Sequence, residues 1–334
     1  MWVRRLPMPA SFTGVHPLSA RPQDKLSLTA HRSGVAGRAP IPSPIRRPAS
    51  VRALLGGAAL WLLMAPSAAA QSIPSGAQVV AGRVNIDQAD PARTVVTQTG
   101  SGHAIVDWRT FSIPTDYKVQ FQQPGSQSII VNRVLGPDAS VLNGALTANG
   151  QVWLLNPNGV LIGPGGRVSS VGFLASTQQI RTEDFLSGRY ILGRRGGPAA
   201  SVVNQGEIAV APGGYAILAG DQVRNEGWVS AELGVVGFGA GGALRLDLDR
   251  DRLIGFEITE PGDEAALIQN IGQISASGGK VLMTARAATR AAASVINVAG
   301  VVDATSVRRE GGAIILDAGP SGSATVDGRL AAVG

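Results

Sequence analysis

The 334-residue chain contains no cysteine, three histidines, and only 4% aromatic and 16% charged residues. The missing cysteine excludes a disulfide framework, a thiol nucleophile and a cysteine-held zinc or iron–sulfur centre. His16 and His31 fall within the first 70 residues, so His103 is the only histidine beyond them. A multi-histidine metal site is thereby excluded after Ala70, and any Ser-His-Asp arrangement would depend on His103 alone. Beside Gly100, Ser101 and Gly102, His103 reads as a turn residue, and Asp107 lies about 13 Å further along an extended chain. The longest uncharged apolar run, Ala53 to Ala65, is 13 residues, short of the roughly 20 that span a bilayer.

The net charge of +6 is unevenly spread. Residues 1 to 70 hold nine basic side chains (among them Arg46, Arg47 and Arg52) and one acid, Asp24, leaving 20 basic against 22 acidic side chains beyond. A nucleic-acid partner inferred from the basic isoelectric point loses its support once that segment is set aside, so no nucleic acid is expected. Arg52, the apolar run, Pro66 and the small residues Ala68 and Ala70 form the pattern of an export signal with cleavage between Ala70 and Gln71. Residues 51–70 are therefore expected to be a signal peptide. Residues 1–50, rich in Pro, Arg and Ser without periodicity, read as a disordered basic leader or as a mis-assigned start.

What the chain has in abundance is glycine, 44 residues, with 20 prolines. There is no G-X-Y period, so collagen is excluded, and glycine at this level disfavours long helices. From Gln71 onward short β runs alternate with Gly, Asn and Pro. Tyr117, Val119 and Phe121 alternate with Lys118, Gln120 and Gln122, and Val152 and Leu154 with Trp153 and Leu155. Two short helical candidates stand out: Thr182 to Leu186, with Thr182 as N-cap, and the alanine-rich Ala285 to Ala293.

The second half repeats. Asn-x-Gly-x-(Ile/Val) occurs at Asn204–Ile208, Asn225–Val229 and Asn270–Ile274, with looser copies from Asn297 and Asp327. A glycine-led apolar phrase follows at Gly213–Ala219, Gly278–Met283 and Gly311–Leu316, and Glu232–Gly241 fills the same slot. Units of roughly 20 to 30 residues that cannot bury an apolar face singly imply stacked coils. Corner asparagines can then bond to their neighbours above and below. The expected fold is all-β, a right-handed parallel β-helix with a small protruding hairpin insertion at about residues 243–267. With no capping helix or charged terminus after the last repeat, the chain reads as the front of a longer rod or a truncated product.

"LTANGQVWLLNPNGVLIGPGGRV" (146–168) resembles the N-terminal secretion domain of filamentous haemagglutinin-type exoproteins, the cargo of two-partner secretion. "GHAIVDWRTFSI" (102–113), "VQFQQPGSQSIIVNRVLG" (119–136) and "VLNGALTANG" (141–150) are similar to the same family in the same order, and "GFLASTQQI", "DFLSGRYIL" and the Asn-x-Gly repeats continue it. The NPNL motif of some branches is absent. The resemblance covers about residues 71–334. It implies export by the Sec machinery, recognition in the periplasm by the POTRA domains of a dedicated outer-membrane transporter, and folding at the surface of a Gram-negative bacterium as a secreted adhesin or haemagglutinin. Host cell-surface glycans or proteins would then be its targets. The family motif here is Asn156, Pro157, Asn158 and Gly159. Pro157 presets a turn, Asn158 tolerates positive φ and Gly159 suits the last turn position. Two readings of the motif stand side by side: transporter recognition, or shaping of one coil.

No enzyme activity, cofactor or metal site is expected. Gly237-Phe238-Gly239-Ala240-Gly241-Gly242 matches a dinucleotide fingerprint, but a β-alternating run follows where a helix N-terminus is needed. Asp247, Asp249 and Asp251 share one strand face, yet Arg252 and Ile258 stand where a calcium loop requires glycine and glutamate. A solvated hairpin edge accounts for them. The alternative is a carbohydrate-active β-helix enzyme, a lyase or glycosidase, which would need two positioned carboxylates in a groove.

Overall fold

A computed structural model describes residues 72–332 apart from 101, 195, 250–251, 263–265, 288–294, 306–311 and 321. Residues 1–71, with the expected signal peptide at 51–70 and its expected cleavage site between Ala70 and Gln71, lie outside the described residues. Most of the expected Ala285–Ala293 helix also lies outside them, and Ala285 itself ends the strand Lys280–Ala285.

The fold is a right-handed parallel β-helix of three-strand coils, the hand favoured for parallel crossovers in twisted sheets. One complete coil runs Ser201–Asn204 on the first face, the start of Glu207–Gly220 on the second, and its remainder from Tyr215 on the third. Gln222–Asn225, Trp228–Ser230 and Val235–Ala240 make the next. The first face is a seven-stranded parallel ladder. The other two faces are joined into one sheet, in which Arg167–Ser176 and Glu207–Gly220 each bend from one face to the other through a register shift after Ser170.

The periodicity seen in the sequence becomes vertical columns. Val119, Leu146, Val168, Ile208, Val229, Ile274, Val302 and Leu330 are register partners up the second face. Ile130, Val152, Phe173, Ala216, Val236, Val281 and Ile314 are partners up the third. No single coil could bury these side chains; stacking at about 4.8 Å buries them against the coils on either side, except toward the last coils, where Ile314 is half-buried and Leu330 exposed. At the first end the order changes. Gln78–Ala81 and Arg83–Asp87 pair antiparallel with His103–Trp108 and Arg93–Thr99, covering the outermost strands of two faces.

A column of glycine sets the coil spacing. A Cβ on Gly227, Gly272, Gly300 or Gly328 would run into the carbonyl oxygen of the equivalent glycine one coil below. None of the four has a positive φ, so close stacking, not backbone freedom, requires glycine there. Beside this column Asn204 Nδ2 donates to Asn225 Oδ1 (2.8 Å) and Asn225 Nδ2 to Asn270 Oδ1 (2.7 Å), all three side chains fully buried. The looser copy does not extend this ladder. Val298, not Asn297, is the register partner of Asn270, and Asn297 Oδ1 is buried without a hydrogen bond.

The hairpin Ala243–Asp249 and Arg252–Glu260 pairs through Tyr190–Gly193 with Gln179–Ile180, giving a four-stranded antiparallel sheet outside the coils. Its apolar side covers the third face. Leu192, Leu244, Leu246 and Ile258 bury themselves against Ile105, Val131, Trp153, Leu174 and Ile217. This second core explains why every residue of Gln151–Leu155 is buried although their side chains alternate between inside and outside: strands covered on both faces read as continuous apolar runs. Gly237 and Gly239, read as part of a dinucleotide fingerprint, lie in the strand Val235–Ala240 beneath the hairpin; a Cβ on Gly239 would come within 2.7 Å of Phe256 and 2.8 Å of Ile258. The helix Thr182–Leu186 forms as expected, but Arg181 occupies the N-cap position without a side-chain cap bond. Thr182 Oγ1 instead accepts a bond from Arg133 (3.1 Å).

Candidate functional site

Asn156, Pro157, Asn158 and Gly159 form a corner between the third-face strand Gln151–Leu155 and the first-face strand Val160–Ile162. The Gly159 amide donates to the Asn156 carbonyl (3.0 Å), closing a turn with Pro157 at its second position and glycine at its fourth, the placement that tight turns favour. Asn156 Oδ1 accepts the Asn158 amide (2.9 Å), which locks the same turn from the side chain. The positive φ expected at Asn158 belongs to Gly159, at 112°.

The corner is tied to both neighbouring coils. Asn156 is fully buried; its Nδ2 donates to the Asp138 carbonyl (3.0 Å) and to Ser140 Oγ (2.9 Å) in the coil before. Its backbone amide donates to the Ser176 carbonyl (2.9 Å) of the coil after. Asn158 is exposed, although its Nδ2 reaches the Gly136 carbonyl (2.9 Å). The four residues thus divide. Asn156 is a three-coil clamp whose amide group is spent inside the protein. Pro157 and Asn158 present the corner to solvent.

A second set of side chains fastens the outer sheet close by. Arg133 makes two bonds to Asp107, at 2.6 and 3.0 Å, with both side chains largely buried, and reaches Thr182 with its remaining nitrogen. Asp107 therefore pairs across the strand register with Arg133, not with any histidine. His103 opens the strand His103–Trp108 and is not a turn residue. Its Nε2 lies 3.0 Å from the Tyr190 hydroxyl, and its ring packs edge-on to Phe185 at 5.2 Å. Burial pushes the His103 pKa down and that of Tyr190 up. Tyr215, fully buried, is also pushed up by burial; it accepts a bond from Trp153 Nε1 (2.8 Å) and donates to Gln151 Oε1 (2.6 Å). These groups form a packed aromatic seam under the outer sheet. The repeats gave no sign of it, because its members come from separate coils and from the insertions.

Asp247 and Asp249 are exposed on the hairpin, as expected of a solvated edge, and Asp251 lies outside the described residues. Among the described residues no group of three His, Cys, Asp or Glu side chains is placed to hold a metal ion, and none of the helices is long and apolar enough to cross a membrane.

Comparison with known proteins places this architecture. The heme/hemopexin-binding protein of Haemophilus influenzae is 32% identical over 257 residues, covering 75% of this chain and 28% of that protein. A second heme/hemopexin-binding protein from the same species is 37% identical over 128 residues, 38% of this chain and 14% of the other. The chain thus spans little more than a quarter of the length of the first of these relatives. The crystal structure of the HMW1 secretion domain from Haemophilus influenzae superposes with a TM-score of 0.67 at 30% identity, over 78% of this chain and 66% of that one. A family profile described as the TPS secretion domain matches residues 70–331. The resemblance read from the NPNG-centred blocks is thereby borne out: the chain belongs to the TPS secretion domain family, the N-terminal module of two-partner secretion exoproteins.

Proposed function

We propose that this chain directs export of an exoprotein through a dedicated outer-membrane transporter, whose periplasmic POTRA domains recognise the chain before it folds. In this account the Sec machinery delivers it to the periplasm after cleavage between Ala70 and Gln71. Coil stacking then completes the fold outside a Gram-negative cell. The observation that carries the reading is the family match across residues 70–331 together with a fold made of coils that each need a neighbour. Such a chain gains little by folding before it has crossed the barrier, because an isolated coil buries too little apolar surface. Strand addition to the transporter, with backbone bonds supplying affinity, suits an unfolded strand-rich cargo. Adhesion or haemagglutination is proposed for the exoprotein as a whole; the enzymatic alternative would need two positioned carboxylates in a groove.

The NPNG corner supplies the test. Asn156 supports the coil-shaping reading, since its side chain is consumed by internal bonds. Asn158, exposed beside it, can be replaced at little cost to the fold, so it tests recognition of the unfolded chain separately from stability. Secretion is measured with the partner transporter co-expressed, alongside the thermal stability of refolded protein. Asn156→Ala is expected to lower both. Asn158→Ala is expected to lower secretion while leaving stability within about 1 kcal/mol of the parent. Undiminished secretion of Asn158→Ala would remove this residue from recognition.

A further inference from the structure

The corner between the second and third faces carries a feature that the export reading does not use. Successive coils turn there through Gly213-Gly214, Leu233-Gly234 and Gly278-Gly279. The first residue of each pair is left-handed, with φ of 82°, 54° and 72°. Glycine takes this conformation freely, whereas a leucine pays for it through its Cβ. Leu233 nevertheless adopts the geometry of the glycines in the coils before and after it. Its side chain gains no burial in return, being 60% exposed. Strain held at an exposed position is a mark of a site kept for a purpose other than the fold.

Leu233 stands in a groove of about 370 Å³ between the stacked corners and the hairpin strand that begins at Arg252. Val235 and Leu253 add apolar wall, and Arg252 and Lys280 supply positive charge. Both cations are exposed, and among the described residues neither forms an ion pair. Asp249, opposite Arg252 in the hairpin, and Glu232, before Leu233, are exposed and bonded to neither. The corner amides are already spent: Gly213, Leu233 and Gly278 donate to the carbonyls of Glu232, Ser277 and Thr305 at 2.7, 2.8 and 2.7 Å. Recognition in the groove therefore falls to the side chains, two cations around one projecting aliphatic group.

We propose that this groove binds an acidic peptide segment of a partner protein, its carboxylates meeting Arg252 and Lys280 and an intervening aliphatic side chain packing on Leu233. Charge complementarity selects the acids. The exposed leucine selects the aliphatic residue, and in an extended peptide alternate residues share one side and are spaced to serve both functions. A sugar ring finds no aromatic platform here, since no aromatic residue lines the groove. A sulfated glycan would satisfy the cations and leave Leu233 without a partner.

The test uses the secreted full chain and a fluorescent Asp-Ser-Leu-Ser-Asp pentapeptide, whose aspartates and leucine share one side when extended, titrated by anisotropy. Saturable binding that weakens as salt rises is expected. Arg252→Ser and Lys280→Ser are each expected to weaken it about fivefold, in the range of a lost charged contact. Leu233→Gly is expected to weaken it similarly without lowering the melting temperature, because the strained position is relieved. The lysine–leucine counterpart should not bind, and a sulfated oligosaccharide should bind less tightly. Three results would overturn the proposal: no saturable binding, equal or tighter binding of the oligosaccharide, or a Leu233→Gly protein that binds the peptide normally or unfolds earlier.

Discussion

The coils before residue 180 and those after residue 200 share one geometry and hold it by different means. In the later coils identical residues stack on identical residues. Asn204, Asn225 and Asn270 form one buried amide ladder, and glycines from Gly206 to Gly328 form one column. In the earlier coils a buried amide pair, Gln123 Nε2 to Gln98 Oε1 (3.2 Å), stands among contacts of other kinds. Unlike partners meet there: Trp108 Nε1 with Asn132 (3.0 Å), Trp153 with Tyr215, Asn156 with Ser140. A ladder tolerates repetition and signals itself in sequence. A set of unlike contacts specifies one register only, because each partner fits one neighbour. The family motif sits in the second kind of region, where a particular coil must take a particular place.

The strongest way to break the comparison is to attack spacing in the later coils. Gly272→Val would drive a branched side chain into the Gly227 backbone. A loss of about 3 kcal/mol or more is expected in chemical denaturation, beyond ordinary overpacking because backbone, not a flexible side chain, is struck. A loss below about 1 kcal/mol would mean that the column can spread. In the earlier coils Asn156→Ala orphans the Asn158 amide and the Asp138 carbonyl, which predicts about 2–3 kcal/mol by the same assay.

Ladder position sharpens the contrast. Asn225→Ala removes the middle rung and breaks both ladder bonds, whereas Asn270→Ala removes an end rung and breaks one. The first is expected to cost about 1 kcal/mol more than the second. Equal costs would argue against a cooperative ladder. The smallest effect concerns the aromatic seam. Burial lowers the His103 pKa below its ordinary value of 6.5, so the unfolded chain binds the extra proton more readily. Its contribution is intact above about pH 6.5 and declines as pH falls through that value. Urea midpoints between pH 8 and 5 should therefore fall less in His103→Phe than in the parent, and an identical pH dependence would contradict this.

The same contrast explains what was legible in the sequence. The Asn-x-Gly phrases could be read because each copy returns to the same register, and they led directly to stacked coils. Asn297 misled because its spacing to Gly300 differs by one residue, which places Val298 in the ladder position. The NPNG turn was legible from Pro157 and Gly159, but the burial of Asn156 was not, since its partners Asp138 and Ser140 lie in a different coil. The outer sheet was half legible. The hairpin from Ala243 announced itself by alternation, while its partnership with Gln179–Gly193 depends on segments some 50 residues apart and on an apolar outer face that resembles an ordinary buried strand. His103 was misread for that reason: the rings of Phe185 and Tyr190 that hold it belong to that distant segment.

The most direct measurement is fractionation of cells that produce the full chain with and without its partner transporter, with the processed protein quantified in cytoplasm, periplasm and medium. The account predicts folded, protease-resistant protein in the medium only when the transporter is present, and unfolded protein retained in the periplasm when it is absent. Equal release in both strains, or a folded product held in the cytoplasm, would contradict it.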